Sequence, residues 1–180
     1  MSDASRPIIL LASSRPCGNT FRLARSVLSE DAAAPIDLAK LNIGYYAYDD
    51  TAADDDFIPL IERIVGAPLW VLATPLHWYS ISAQAKTFID RLTDLLEGRK
   101  DLGRRLHGKS LAVVCSGTDA EPAASFHDPL ERTCVYLGMR FVGTYYERNA
   151  ADGTTDRPTD TAASMFGRML IEEAQRTEGR

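Results

Sequence analysis

Four short runs of almost unbroken apolar residues constrain this chain more than any other feature: "PIILLAS" (Pro7 to Ser13), "PLWVLAT" (Pro68 to Thr74), "SLAVVCS" (Ser110 to Ser116) and "RFVGTYY" (Arg140 to Tyr146). A strand with one face in water alternates apolar and polar residues. A run that is apolar at both parities predicts a strand covered on both faces, as in a parallel sheet. A weaker fifth run, "PIDLAKL", lies at Pro35 to Leu41. Between the runs, apolar residues recur every three or four positions. Phe57, Leu60, Ile61, Ile64 and Val65 form one such set, and Ala85, Phe88, Ile89, Leu92 and Leu96 the next. Similar patterns run from Asn19 to Leu28, Asp128 to Leu137 and Ala162 to Ala174, all helical in period. Strand and helix alternating five times predicts an α/β fold, a doubly wound five-stranded parallel sheet with helices on both faces. No internal repeat or linker interrupts it, so residues 1–180 read as a single domain.

Charge and cysteine usage narrow the function classes. A formal net charge of −5 argues against a basic face for polyanions, so no nucleic-acid partner is expected. The N-terminal "MSDASRP" lacks the basic head and apolar run of a signal peptide, and no apolar stretch reaches the length of a membrane span. The expectation is a cytoplasmic protein with no membrane contact. Cys17, Cys115 and Cys134 are odd in number and include no C-x-x-C pair, which implies neither a disulfide framework nor a zinc ribbon.

In a sheet of this kind ligands bind outside the carboxyl ends of the strands, where strand order reverses. The loop after strand one is "SSRPCGNT", Ser13 to Thr20, opening into a helix. Its hydroxyls, amide, guanidinium and glycine at a helix N-terminus suit one terminal phosphate, helped by the helix dipole. It is neither a Walker loop nor a G-x-G-x-x-G fingerprint. The plainer alternative is a polar turn in which Asn19 or Thr20 caps the helix. After strand three, "PLHWYS" (Pro75 to Ser80) sets large flat side chains beside that cup. A phosphate at one loop and a planar heterocycle at the next describe FMN. Core packing or a subunit contact is the alternative reading for Trp78 and Tyr79.

"SSRPCGNTFRLA", "ATPLHWYSISAQAKTFIDRL" and "LGMRFVG" resemble the flavodoxin-like NAD(P)H-dependent FMN reductases, over Ile8 to about Gly143. The second motif is the specific one. The resemblance implies that Ser13, Arg15, Gly18, Asn19 and Thr20 hold the FMN phosphate. It implies that Pro75, Leu76, His77, Trp78, Tyr79 and Ser80 line the isoalloxazine, with His77 standing where many relatives have Tyr. "SGTDAE", beginning Ser116, Gly117, Thr118, occupies the place of the loop that flanks the ring's other edge. It also implies a homodimer or homotetramer, and Trp78 with Tyr79 offers a rim that a neighbouring subunit could cover.

The related iron–sulfur flavoproteins carry closely spaced cysteines before the second helix. Here that segment is "IGYYAYDDTAADDDF", with three tyrosines and no cysteine, so no cluster is expected. Its five aspartates, from Asp49 to Asp56, read as solvation and capping ahead of a helix, and no metal is expected. Low-molecular-weight tyrosine phosphatases need C-x5-R after strand one; from Cys17, Arg22 is one position short. Cys134 and Arg140 satisfy that spacing but run from a helix pattern into strand five, which makes Cys134 a core residue. Lys86, Asp90 and Arg91 read as surface or interface pairs.

The expected activity is transfer of electrons from NADPH or NADH through FMN to a quinone, free flavin or another small acceptor, in a ping-pong cycle. No acid or base is required, although His77 and Tyr79 stand where they could contact an acceptor. Two other readings stay open: a flavodoxin-type electron carrier, and a flavin-free interaction module.

Overall fold

The structure, a computed structural model, describes residues 6–28, 35–48, 54–149 and 160–178. Five parallel strands, β1 (Ile8–Leu11), β2 (Ile36–Asp37), β3 (Leu69–Pro75), β4 (Ser110–Gly117) and β5 (Arg140–Arg148), form one sheet in the order β2-β1-β3-β4-β5. Helices α2 (Phe57–Ile64), α3 (Ala83–Arg91), α4 (Asp94–Glu97), α5 (Lys100–Arg104) and α6 (Asp128–Tyr136) bury their apolar stripes on one face. Helices α1 (Asn19–Val27) and α7 (Asp160–Glu178) cover the other. The apolar runs behave as their composition dictates: β3 and β4 are buried from Leu69 to Thr74 and along the whole of Ser110 to Gly117.

Local chemistry fixes where the helices begin and end. The Ser82 side chain caps α3 by accepting from the Ala85 N–H (3.2 Å), and its hydroxyl donates to the Ala12 carbonyl at the end of β1 (2.7 Å). The Ser82 N–H donates to Thr74 Oγ1 at the end of β3 (3.0 Å). One buried serine therefore welds the start of α3 to both central strands. Helix α6 stops at Gly138, whose φ of +67° is left-handed. The Gly138 and Met139 N–H groups close back onto the Val135 and Cys134 carbonyls, a Schellman stop that glycine permits without strain.

Three expectations need correction. The "PIDLAKL" run gives only a two-residue strand, because Leu38–Lys40 tighten into a 3-10 turn capped by the Asp37 side chain. The "RFVGTYY" run is not buried on both faces: β5 is an edge strand, mostly half-buried, and its pairing with β4 shifts register at Leu111/Ala112. The third correction is Arg91. Lys86 and Asp90 do pair at the surface, but Arg91 is 2% exposed. Its guanidinium lies 4.7 Å over the Phe57 ring. It donates to both oxygens of Asp55, to Asp94 Oδ2 (2.7 Å) and to the Gly44 carbonyl (3.1 Å). Asp55 also accepts from the N–H groups of Gly44 (2.8 Å) and Phe57 (2.9 Å). The pattern of apolar residues up to Leu96 divides between α3 and α4, and α5 was not foreseen. Asp49 and Asp50 of the aspartate run, and residues 150–159 of the expected loop before the last helix, lie outside the described residues.

Burial by itself would raise the Asp55 carboxyl; its bonds to Arg91 and the two amides outweigh that and hold it below the ordinary value of 3.8. A depressed acid adds stability above its unfolded value and loses it as pH falls through the folded one. Arg91→Ala leaves Asp55 as a buried charge without its cation, and should cost about 3–5 kcal/mol in urea unfolding at neutral pH. The parent should lose the same contribution only on acidification below the ordinary carboxylate range. A variant as stable as the parent at neutral pH would show that the pair is incidental.

Candidate functional site

Strand order reverses between β1 and β3, and the loops that leave β1, β3 and β4 there enclose a cavity of about 500 Å³. That is within the range of small-molecule and cofactor sites.

The β1 loop supplies one end. The first amide to find a partner within α1 is that of Arg22, which donates to the Gly18 carbonyl (3.1 Å). The earlier amides of the first turn have no intrahelical acceptor, and Gly18, the cap, has no side chain to offer one. Ser13 is buried, whereas the side chains of Ser14 and Arg15 are exposed; Arg15 makes no ion pair among the described residues. Thr20 Oγ1 and Ser116 Oγ lie 2.9 Å apart and buried, joining the β1 and β4 loops. Two hydroxyls carry two protons; one serves their mutual bond and one stays available to a ligand. Asn19 Nδ2 donates to Asn149 Oδ1 (2.9 Å), and Gln84 Nε2 of α3 to Ser14 Oγ (2.8 Å).

The β3 loop is a four-residue hairpin. His77 and Ser80 exchange both backbone hydrogen bonds (2.9 and 3.0 Å). Trp78 and Tyr79 between them have φ of +49° and +64°. This is a type I′ turn, whose two left-handed positions normally go to Asn and Gly. Two aromatic residues there are strained by about 1–3 kcal/mol each, a condition that gathers at ligand sites. Trp78 is 93% exposed and Tyr79 61% exposed.

The β4 loop forms the third wall, and β5 holds it by three successive carbonyls. The Asn149 N–H donates to the Gly117 carbonyl (2.6 Å), Arg148 Nε to that of Thr118 (3.2 Å), and the Tyr146 hydroxyl to that of Asp119 (2.8 Å). A Cβ on Gly117 would meet Leu76 Cβ and the Tyr146 hydroxyl, each at 2.8 Å, so glycine alone admits this approach of the loops.

The cavity thus gathers Ser13, Arg15, Gly18, Asn19 and Thr20 from the first loop, Pro75, Leu76 and His77 from the second, and Ser116, Gly117 and Thr118 from the third. Trp78, Tyr79 and Ser80 do not line it; the turn carries them past its mouth. Ser14 and Asn149 line it without having been singled out. Ser14 stands inside the quoted motif, whereas Asn149 had no signal beyond following strand five. Of the cysteines, Cys115 and Cys134 are buried and burial pushes both thiols up to about 12, while Cys17 is exposed.

FMN fits the residues present. Among the described residues the lining holds one guanidinium and no carboxylate, together with hydroxyls and first-turn amides that have no intrahelical acceptor, which suits a phosphate. Leu76 and Pro75 give the apolar contact a flat ring needs, with the loop at Gly117 opposite.

A Bacillus subtilis protein described as a candidate NAD(P)H-dependent FMN-containing oxidoreductase, YwqN, is 29% identical over 93 residues, 49% of this chain and 51% of that protein. The chain thus spans about half the length of that curated relative. FerB, a flavoenzyme NAD(P)H:(acceptor) oxidoreductase from Paracoccus denitrificans, superposes with a TM-score of 0.70 at 17% identity, covering 96% of this chain and 98% of that one. Two-electron reduced Megasphaera elsdenii flavodoxin superposes at 0.54 and 13% identity, covering 94% and 98%. These two likenesses show a flavodoxin-like fold. Residues 6–152 match the family described as NADPH-dependent FMN reductase, and with that much of its length matched the chain belongs to this family.

Proposed function

We propose that the chain is an FMN-dependent oxidoreductase, a single flavodoxin-like domain, that passes electrons from NADPH or NADH to a small acceptor such as a quinone or free flavin. The observation that carries this reading is the convergence of three sheet-end loops on one cavity with a phosphate-like donor set at one end. When bound, FMN supplies the redox centre between nicotinamide and acceptor. Arg15, Asn19, Thr20 and the first-turn amides of α1 hold its phosphate, with Ser13 and Gly18 shaping the cup. Pro75, Leu76 and Ser116 to Thr118 border the ring, and the hairpin of His77, Trp78, Tyr79 and Ser80 forms the outer lip. A single cleft serves donor and acceptor in turn, which gives a ping-pong cycle. His77 and Tyr79 are the side chains assigned to acceptor contact.

The exposed Trp78 and Tyr79 support a homodimer or homotetramer in which a second subunit covers the lip. Among the described residues no helix is long and apolar enough to cross a membrane. With the net charge of −5, this supports a cytoplasmic enzyme that does not act on nucleic acid.

Anaerobic addition of NADPH or NADH to the FMN-loaded protein should bleach the flavin without a partner enzyme, and a quinone should restore the colour. Bleaching that requires a separate reductase would instead make the chain a flavodoxin-type carrier. Arg15→Ala should weaken FMN by about 1.5–3 kcal/mol while leaving riboflavin, which lacks the phosphate, nearly unchanged in fluorescence titration. Equal FMN affinity in mutant and parent would remove the phosphate cup. Trp78→Ala should alter the bound flavin's visible spectrum and lower quinone turnover, with little change in the melting temperature of the apoprotein. Light scattering at micromolar concentration should give a dimer or tetramer; a fully active monomer would sink the subunit-covered lip.

A further inference from the structure

The β4 loop is turned by the end of β5, and the direction of turning has a chemical result. The carbonyls of Gly117, Thr118 and Asp119 are each occupied by a donor of β5 or of the residue that follows it: the Asn149 N–H, Arg148 Nε and the Tyr146 hydroxyl. A trans peptide is planar, with its N–H directed opposite to its C=O. The N–H groups that share those three peptides belong to Thr118, Asp119 and Ala120. Of these amides, that of Thr118, whose peptide carbonyl is bonded by the backbone at the end of β5, faces away from β5, the side of β4 on which β3 lies, and Thr118 lines the cavity. Among the described residues these amides have no hydrogen-bond partner.

We infer that Tyr146 and Arg148, with Asn149, are positioning residues that fix the β4 loop so that its Thr118 amide dipole is held toward the flavin ring's edge and favours the ring's two-electron-reduced, anionic state. This rests on the flavin reading above. Fixed dipoles aimed at developing charge stabilise the charged form far more than the neutral one, because no reorganisation is needed when the charge appears. The Tyr146 phenol is kept as a donor: burial first, then nearby Cys115 and Asp119, push it up from its ordinary value. Its hydroxyl is a tether between strand and loop, and removing it leaves the ring's packing in place. Arg148 is exposed, so its side chain can be cut back without opening the core.

The test compares binding of oxidised and dithionite-reduced FMN to the parent, Tyr146→Phe, Arg148→Ala and a control, Tyr145→Phe. Tyr145 is the adjacent residue of β5, whose ring packs on Phe166. The expected result is that Tyr146→Phe and Arg148→Ala bind oxidised FMN within about twofold of the parent but reduced FMN at least tenfold more weakly. Tenfold corresponds to about 30 mV more negative potential for a two-electron couple. Tyr145→Phe should keep the parental ratio. An unchanged ratio in both tether variants would overturn the inference and leave the flavin reading standing. A parent that binds neither form of FMN would overturn the flavin reading, and the tether's role with it. A ratio that shifts equally in Tyr145→Phe would show a general loosening of β5, against a specific tether.

Discussion

The constraint on which the rest of this protein depends is burial of the central strands from both sides. Strands β1, β3 and β4 carry apolar side chains at both parities, so neither face of the sheet tolerates water. Parallel strands in turn require crossovers, and these lay α2, α3 and α6 on one face and α1 and α7 on the other. Every strand then ends at the same edge of the sheet. Where the crossovers change sides, between β1 and β3, the loops part and leave a space that the fold cannot fill with its own chain.

What occupies the walls of that space is polar and largely without acids. The edge is rich in hydrogen-bond donors because two kinds of backbone end there. The first turn of α1 presents amides that a helix cannot satisfy. The β4 loop presents the amide of Thr118, whose peptide carbonyl is bonded by the N–H of Asn149 at the end of β5. Hydroxyls and amides of Thr20, Ser116, Asn19 and Asn149 bridge the loops to one another. The hairpin is different in kind: among the described residues its backbone ties run between His77 and Ser80, and its aromatic tip stands in strained geometry out in solvent.

Away from the site, Arg91 performs the corresponding task for the segment between β2 and α2. The stretch around Gly44 has no regular structure to hold its backbone, and the guanidinium with Asp55 serves both its N–H and its carbonyl. The interaction is buried, and desolvation makes each partner dependent on the other. A helix whose start is welded to β1 and β3 by Ser82 and whose end is locked to this segment by Arg91 is a rigid mount for the hairpin that precedes it.

The sequence by itself determined the strand and helix alternation, the covering of both faces and the loops to examine, since these follow from the period of the apolar residues and from turn and cap chemistry local to a few positions. It also held the members of the β1 loop that line the cavity, which are close together in the chain. The edge position of β5 escaped that reading, because an apolar run does not say which neighbour is missing. Arg91 escaped it because its partner Asp55 is far off in the chain and an F-I-D-R sequence on a helix looks like surface charge. The outward turn of Trp78 and Tyr79, the entry of Asn149 into the cavity and the tethering of the β4 loop by Tyr146 and Arg148 were decided only by tertiary structure. Each depends on the backbone direction of one loop relative to a strand distant in sequence, and no local pattern encodes that direction.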